Sequence, residues 1–197
     1  MDTEIIFRIH FIIAGILMIA IRIYYQRKVL SDRDQTTVKG NPLKLIPGAI
    51  AALVTLIFGF EYIFAQGTFS FAYIVEYPFW LRWLGVLMLI VGISLLWAAH
   101  HHLGRSFHSL VVLKDEQALI DTGPYRWVRH PIYTAYLLNY IGGGMLSANI
   151  ILTIVPAFFF AMMICLRLGE EEEVLIEKYG DRYREYMGRT GRFLPYV

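Results

Sequence analysis

Residues 132–165 read IYTAYLLNYIGGGMLSANIILTIVPAFFFAMMIC, a stretch of 34 residues without a charge. One membrane-spanning helix needs only roughly 20 residues. Three glycines at 142–144 and then Ser147-Ala148-Asn149 interrupt the stretch, and both clusters are typical of turns. We therefore expect a tight hairpin of two membrane helices, the first of them short, with Pro156 kinking the second.

Three further apolar regions precede this hairpin, at residues 5–25, 47–64 and 79–99. Each is long enough for one membrane span. The chain is 57% hydrophobic and only 17% charged, whereas soluble domains are about a quarter charged. The sequence therefore predicts an all-α integral membrane protein with about five transmembrane helices.

The basic residues support an odd number of spans. Of the 18 Lys and Arg residues, five lie in the loop 26–46, four in 100–131 and six beyond residue 166, but none in 65–78. Because basic loops stay in the cytoplasm, we expect the N-terminus outside and the C-terminus in the cytoplasm. Helix 1 follows Asp2 and Glu4 and has no small-residue cleavage site, so we do not expect a cleaved signal peptide.

Several classes of function are disfavoured by composition. A net charge of +2 is too small to favour a nucleic-acid partner. Cys165 is the single cysteine and lies in an apolar run, so it predicts neither a disulfide nor a Cys-based metal site. The side chains of His100-His101-His102 point in different directions on a helix, so we expect no metal centre. The sequence has no GxGxxG motif, which disfavours a dinucleotide-binding fold.

The chain divides into two functional parts. Residues 1–99 hold helices 1–3 with the cytoplasmic loop 26–46. Residues 100–197 hold a cytoplasmic segment 100–131, the helical hairpin 132–168 and a cytoplasmic tail 169–197. Because the hairpin joins them, the segment and the tail should meet in space and form a common site.

The first polar motif of this region is GPYRWVRHPIY, residues 123–133. Proline is favoured at the first position of a helix, so Pro131 should begin helix 4. That places Arg129 and His130 at its N-terminus on the membrane surface. Interfacial anchoring alone would also explain these residues.

The second motif is Glu170-Glu171-Glu172-Glu173, which continues helix 5 into water. Helices often offset such charge with Lys or Arg four residues later, but these positions hold Val174, Leu175, Ile176 and Glu177. Some of the carboxylates must therefore be solvated or find a cation elsewhere. After a helix end at Gly180, the tail predicts a short amphipathic helix and an apolar end at 193–196.

These motifs resemble the isoprenylcysteine carboxyl methyltransferase and phospholipid methyltransferase superfamily. The resemblance covers roughly residues 100–197 and is carried by three stretches, LGRSF (103–107), LIDTGPY (119–125) and RHPIY (129–133). The tail agrees with it at ten further positions: Arg167, Glu171, Glu172, Leu175, Tyr179, Gly180, Tyr183, Tyr186, Arg189 and Pro195.

The resemblance implies a membrane methyltransferase that uses S-adenosyl-L-methionine, bound in a cytoplasmic pocket between the segment before helix 4 and the tail. The cofactor-binding positions it implies are Gly123, Pro124, Tyr125, His130, Pro131, Tyr133, Glu171 and Glu172. Arg129 and Arg189 match the family's substrate-side arginines, and with Glu171 they form the expected catalytic set. Glutamates without a cationic partner would be plausible counter-charges for the sulfonium and ammonium of the cofactor.

The residues do not determine which chemical group accepts the methyl. We expect a lipophilic methyl acceptor from the bilayer, first a prenylated cysteine carboxylate, second an amine headgroup or another amphiphile. A carboxylate needs no general base because it is ionised at pH 7, whereas an amine would need deprotonation. An NADPH-dependent sterol-type reductase and a non-catalytic protein that binds lipids or prenyl groups remain the alternatives.

Overall fold

The computed structural model describes residues 3–30, 41–103 and 119–196, with the side chains of 28–30 excepted. Part of the loop 26–46 and the LGRSF motif after Leu103 therefore lie outside the described residues. The described part forms six α-helices: α1 Thr3–Leu30, α2 Ile46–Phe64, α3 Phe79–Leu103, α4 Pro131–Leu146, α5 Ile150–Tyr179 and α6 Asp181–Arg189. Short 3-10 helices lie at Pro42–Leu45, Ser70–Tyr73 and Gly123–Arg126. The prediction of an all-α protein is confirmed for these residues.

Four of the described helical segments are long and apolar enough to cross a bilayer: Thr3–Arg27, Pro42–Phe64, Phe79–Leu103 and Ile150–Tyr179. Large apolar side chains such as Ile16, Leu56 and Phe158 are exposed on their outer faces, as expected for contact with lipid. The fifth predicted span, α4, has 16 residues and a length of about 24 Å. Because the hydrocarbon core measures about 30 Å, α4 as a complete span stays a prediction.

The hairpin turn is shorter than the sequence predicts. It consists of Ser147, Ala148 and Asn149, and Ala148 takes a positive φ of 52°. The Asn149 side chain caps α5 by accepting a hydrogen bond from the backbone N–H of Leu152 at 2.9 Å. The prediction that glycines 142–144 also belong to the turn is wrong, because all three are buried inside α4.

The three glycines instead let α4 lie close to its neighbours. A Cβ on Gly85 of α3 would come within 2.6 Å of the Gly142 carbonyl oxygen. A Cβ on Gly144 would come within 2.2 Å of the Thr153 backbone nitrogen of α5. These contacts place α4 between α3 and α5, while α2 packs on α5 and α1 packs mainly on α3.

The helix ends determine where the polar motifs lie. Because α4 and α5 are antiparallel, the start of α4 lies beside residues 167–179, the charged part of α5 that continues beyond its apolar residues 150–166. Helix α5 ends at Gly180, whose φ of 58° favours glycine, and α6 follows directly. At the opposite end of the bundle, Arg82 pairs with Glu4 at 2.8 Å and donates to the Leu146 carbonyl at 2.8 Å.

Candidate active site

The glutamates of α5 have three different environments because successive helical side chains point about 100° apart. Glu170 is exposed and pairs with Lys44 at 2.6 Å. Glu171 is half-buried and pairs with Arg167 at 2.9 Å. Glu172 is buried, with 4% of its surface exposed. The expectation that some of these carboxylates find a cation elsewhere is confirmed, and the idea of glutamates without a cationic partner is wrong for these three.

Glu172 joins the start of α4 to the tail. Its Oε1 lies 3.2 Å from Arg129 Nε and 3.4 Å from His130 Nε2, and its Oε2 accepts a hydrogen bond from Arg192 at 2.8 Å. Both carboxylate oxygens are thus engaged. Since the charged part of α5 provides no Lys or Arg four residues on, Glu172 takes its cations from segments distant in sequence.

Arg129 is buried among contacts that hold the tail in place. Its guanidinium donates to Glu172, to the Met187 carbonyl at 3.0 Å and to the Thr190 carbonyl. The backbone N–H of Arg129 donates to the Gly191 carbonyl at 2.8 Å, beside an isolated parallel bridge between Val128 and Gly191. These contacts attach the end of α6 to the segment that precedes α4.

Glu171 lies beside the first turn of α4. The Tyr133 hydroxyl donates to Glu171 Oε1 at 2.7 Å, and the same oxygen contacts Arg167. The closest contact from each of these two residues falls on Oε1. Because a carboxylate has about four acceptor positions, Oε2 keeps capacity for a cationic ligand. The His130 ring stacks on Tyr133 with centroids 5.8 Å apart and also lies near Phe193.

The segment before α4 is held by close packing. Gly123 has a φ of 57°, and a Cβ there would lie 2.4 Å from the His102 ring. Tyr125 is buried, and its carbonyl accepts a hydrogen bond from the Tyr186 hydroxyl at 2.6 Å. Pro131 is buried at the first position of α4, as the sequence predicts.

Burial and charge shift several pKa values in this region. Burial alone would raise the pKa of Glu172, but hydrogen bonds from His130, Arg192 and Arg129 outweigh it and lower the pKa to about 2. Burial raises the pKa of Tyr186 to about 12, so its hydroxyl stays protonated and donates to Tyr125. The cluster around Glu172 is therefore an ionic structure at neutral pH.

The predicted site residues fall into two groups. His130, Pro131, Tyr133, Glu171, Glu172 and Arg129 lie together where α4 begins, and Gly123, Pro124 and Tyr125 lead into that point. Arg189 is placed elsewhere: it pairs with Asp121 at 2.8 Å, beside a cavity of about 260 Å³.

Sequence reasoning did not assign the contacts of four residues of this site: Arg192, Thr190, Met187 and Lys44. The sequence left the tail arginines, Arg192 among them, to pair either with the glutamates or with an anionic substrate group, and the structure pairs Arg192 with Glu172. Thr190 and Met187 supply carbonyls that no sequence pattern predicts. Lys44 sits at the end of the 3-10 helix before α2, and its only sequence signal is the positive charge of the loop.

Comparison with known proteins shows the family to which this chain belongs. The model of the isoprenylcysteine carboxyl methyltransferase family matches residues 83–177, which run from α3 into the charged part of α5. A protein-S-isoprenylcysteine O-methyltransferase B of Arabidopsis thaliana is 31% identical over 153 residues, which are 74% of this chain and 74% of that protein. The chain belongs to the isoprenylcysteine carboxyl methyltransferase family.

Other members of this family are similar over a shorter part. The protein-S-isoprenylcysteine O-methyltransferase of Saccharomyces cerevisiae is 33% identical over 58% of this chain and 48% of its own length. The Mus musculus enzyme is 32% identical over 60% of this chain and 42% of its own length. The matched part thus spans less than half of each of these two relatives.

A solved structure shares the fold. The eukaryotic intramembrane Ras methyltransferase, also an isoprenylcysteine carboxyl methyltransferase, superimposes with a TM-score of 0.56 at 23% sequence identity. The match covers 82% of this chain and 55% of that one. The chain is accordingly a multi-pass integral membrane protein with the helical fold of this family.

Proposed function

We propose that the protein transfers a methyl group from S-adenosyl-L-methionine to a lipophilic acceptor at the cytoplasmic membrane surface. The first acceptor class is the carboxylate of a prenylated cysteine or a similar amphiphile. The observation that carries this proposal is Glu171, a half-buried carboxylate held by Tyr133 and Arg167 at the start of α4 with Oε2 still able to accept. Membership in the methyltransferase family supports the reaction type.

The residues present fit this cofactor. Its α-ammonium and sulfonium need an anionic or π-electron partner. Glu171 Oε2 is the anionic partner, and the stacked His130 and Tyr133 rings next to it provide the π-electron surface. Glu172 differs, since both its oxygens are engaged by protein cations. We therefore propose that Glu171 contacts the cofactor and that Glu172 positions its surroundings.

The two arginines also receive different roles. Arg129 is 8% exposed and bound to Glu172 and two carbonyls, so we propose it as a positioning residue. Arg189 pairs with Asp121 just before the Gly123 turn. We propose that it positions this turn from α6. Gly123, Pro124, Tyr125 and Pro131 shape the cofactor side of the site through their backbone.

For methyl transfer to a carboxylate, the protein has to position the cofactor and the acceptor and to exclude water. When bound, S-adenosyl-L-methionine supplies an electrophilic methyl group, and the carbon–sulfur electron pair stays on sulfur as the acceptor oxygen takes the methyl. A carboxylate acceptor is ionised at pH 7, so no residue has to remove a proton. The apolar surroundings of Tyr133, which include Phe160 at 6.0 Å between ring centroids, keep water away from one side of the site.

The first experiment is a calorimetric titration of S-adenosylhomocysteine into the detergent-purified protein, with NADPH as the parallel ligand. Micromolar binding of S-adenosylhomocysteine alone supports the proposed cofactor. Binding of NADPH alone contradicts it and indicates a reductase, and binding of neither ligand also contradicts it.

The second experiment identifies the acceptor. Protein in lipid nanodiscs is incubated with S-adenosylmethionine labelled in its methyl group and with either N-acetyl-S-farnesylcysteine or phosphatidylethanolamine. Base-labile label on the farnesylcysteine indicates a methyl ester and supports the carboxylate acceptor. Base-stable label on the amine lipid alone contradicts this part of the proposal while leaving the cofactor in place.

A further inference from the structure

A cavity of about 260 Å³ lies next to the candidate active site but shares no residue with the Glu171 and Glu172 contacts. It is formed where the 3-10 helix Gly123–Arg126, α6 and the chain end meet. Its lining consists of Asp121, Arg126, Trp127, Tyr186, Arg189 and Tyr196.

The lining carries an excess of positive charge. Arg189 is paired with Asp121 at 2.8 Å. Arg126 is exposed, and its guanidinium lies 5.3 Å from the centre of the Trp127 ring. No acidic side chain among the described residues forms an ion pair with Arg126. Two guanidinium groups and one carboxylate therefore leave one positive charge, which favours an anion.

The position of the cavity relates it to the membrane surface. Residues 191–193 run along the start of α4: the His130 backbone N–H donates to the Arg192 carbonyl at 3.0 Å, and the Thr134 hydroxyl donates to the Phe193 carbonyl at 2.9 Å. Because the uncharged stretch begins at Ile132, this point lies at the boundary between water and hydrocarbon. The cavity adjoins it through Trp127 and Tyr196.

Two exposed side chains of the lining, Trp127 and Tyr196, are large and apolar in their rings, and the exposed Leu194 lies in the same chain end as Tyr196. Trp127, Leu194 and Tyr196 are exposed by 58%, 73% and 66%. Exposed apolar groups of this size mark an interaction surface, and Trp and Tyr beside arginines are typical of the lipid headgroup region. In a membrane-spanning chain, lipid is the partner at this depth.

We propose that this cavity binds the phosphate of an anionic phospholipid. Arg126 donates to the phosphate oxygens, and Arg189, oriented by Asp121, adds the second positive charge. Trp127 and Tyr196 lie among the headgroups, and Leu194 reaches toward the acyl chains. The site attaches the C-terminal tail to the bilayer, and it does not depend on the proposed methyl transfer.

The test is native mass spectrometry of the purified full-length protein released from micelles that contain equal amounts of phosphatidylglycerol and phosphatidylcholine. Wild-type protein is compared with Arg126→Gln and with the control Arg184→Gln, which removes an equally exposed arginine of α6 paired with Asp181. We expect wild type and Arg184→Gln to retain phosphatidylglycerol at least about fivefold over phosphatidylcholine. Arg126→Gln should bring that ratio to about one, with S-adenosylhomocysteine binding unchanged.

Several outcomes would overturn the lipid site. One is wild-type selectivity in Arg126→Gln. Another is an equal loss in both variants, which indicates general attraction by surface charge. A third is displacement of phosphatidylglycerol by millimolar inorganic phosphate, which indicates a site for free anions. Trp127→Ala serves as a second variant and should lower lipid retention while Arg126 remains.

Discussion

Glu171 and Glu172 are adjacent in sequence yet have opposite relations to solvent and to charge. Glu172 is enclosed by Arg129, His130 and Arg192. Glu171 is held at Oε1 by Tyr133 and Arg167. A buried carboxylate enclosed by two arginines and a histidine stabilises the fold, whereas a half-buried one with acceptor capacity is suited to a ligand. The two residues should therefore respond differently to the same substitution.

Glu171→Gln should weaken S-adenosylhomocysteine binding by about tenfold or more, because a hydrogen bond to a charged group contributes about 1.5–3 kcal/mol and 1.4 kcal/mol is tenfold in affinity. Calorimetric titration measures this, and Glu173→Gln, an exposed neighbour on α5, is the matched control. An unchanged affinity in Glu171→Gln, or equal losses in both variants, would remove Glu171 from the cofactor site.

Glu172→Gln should mainly lower stability, since it leaves Arg129 buried without a counter-charge. Removal of one partner of a buried ion pair costs about 3–5 kcal/mol, which we expect to appear as a melting temperature lower by roughly 6–20 °C. Thermal unfolding in detergent is the measurement. The control is Glu170→Gln, whose exposed pair with Lys44 should contribute less than about 1 kcal/mol.

The same variant has a defined pH dependence. The pKa of Glu172 is lowered from 4.5 to about 2 in the folded protein, so its ionised form stabilises the fold above pH 4.5 and this stabilisation is lost as the pH falls toward 2. The difference in melting temperature between wild type and Glu172→Gln should be constant from pH 7 to pH 5.5 and shrink below pH 4.5. A difference that grows on acidification would contradict the ionic cluster.

At the scale of elements, α4 determines the site because it is short and packed on both sides. Its glycines bring it close to α3 and α5, and its first turn carries His130 at the N-cap and Tyr133 at the third helical position. Any change that moves α4 outward moves Tyr133 away from Glu171. Stability and ligand binding should therefore be lost together when this packing is disturbed.

Gly144→Ala should destabilise the hairpin, because the added Cβ would meet backbone atoms of Thr153 within 2.3 Å and no flexible side chain can yield. We expect a loss of about 2 kcal/mol or more, measured by thermal unfolding. Gly169→Ala is the control within α5: nothing lies within 4 Å of its Cβ, and alanine favours helix by about 1 kcal/mol over glycine. Equal stability of the two variants would mean that the α4–α5 contact is looser than described.

At the scale of the whole molecule, the orientation in the bilayer follows from charge and from the helix count. The described α2–α3 connection, residues 65–78, has no Lys or Arg, whereas the tail has six. If α4 crosses the membrane completely, three spans separate these two regions and they face opposite sides. If α4 stops within the bilayer, the tail shares a side with the α2–α3 connection.

Single-cysteine labelling tests this orientation. In a Cys165→Ser background, Thr68→Cys should react with an impermeant maleimide in intact cells, and Glu185→Cys should react only after permeabilisation. Both positions are exposed. Labelling of both variants in intact cells would contradict the predicted five spans and the cytoplasmic tail.

Hydropathy, together with proline and glycine at the helix ends, determined where the helices lie in the sequence. The apolar stretches placed four membrane helices, and Pro131 and Gly180 placed the start of α4 and the end of α5, because local backbone preferences and burial in lipid act over short segments of sequence. The glycines 142–144 show the limit of this reasoning: glycine is as suitable for close helix packing as for a turn, and only the neighbours of α4 distinguish the two.

The partners of Glu172 and Arg189 were decided by tertiary structure alone. Arg192 and Arg129 reach Glu172 from positions 20 and 43 residues away, and Arg189 reaches Asp121 across 68 residues. The sequence determined that helix α5 carries four glutamates and that the tail carries arginines. Which carboxylate is enclosed and which keeps a free oxygen depends on the rotation of α5 against α4 and on the path of the tail, and both are set by packing between segments distant in the chain.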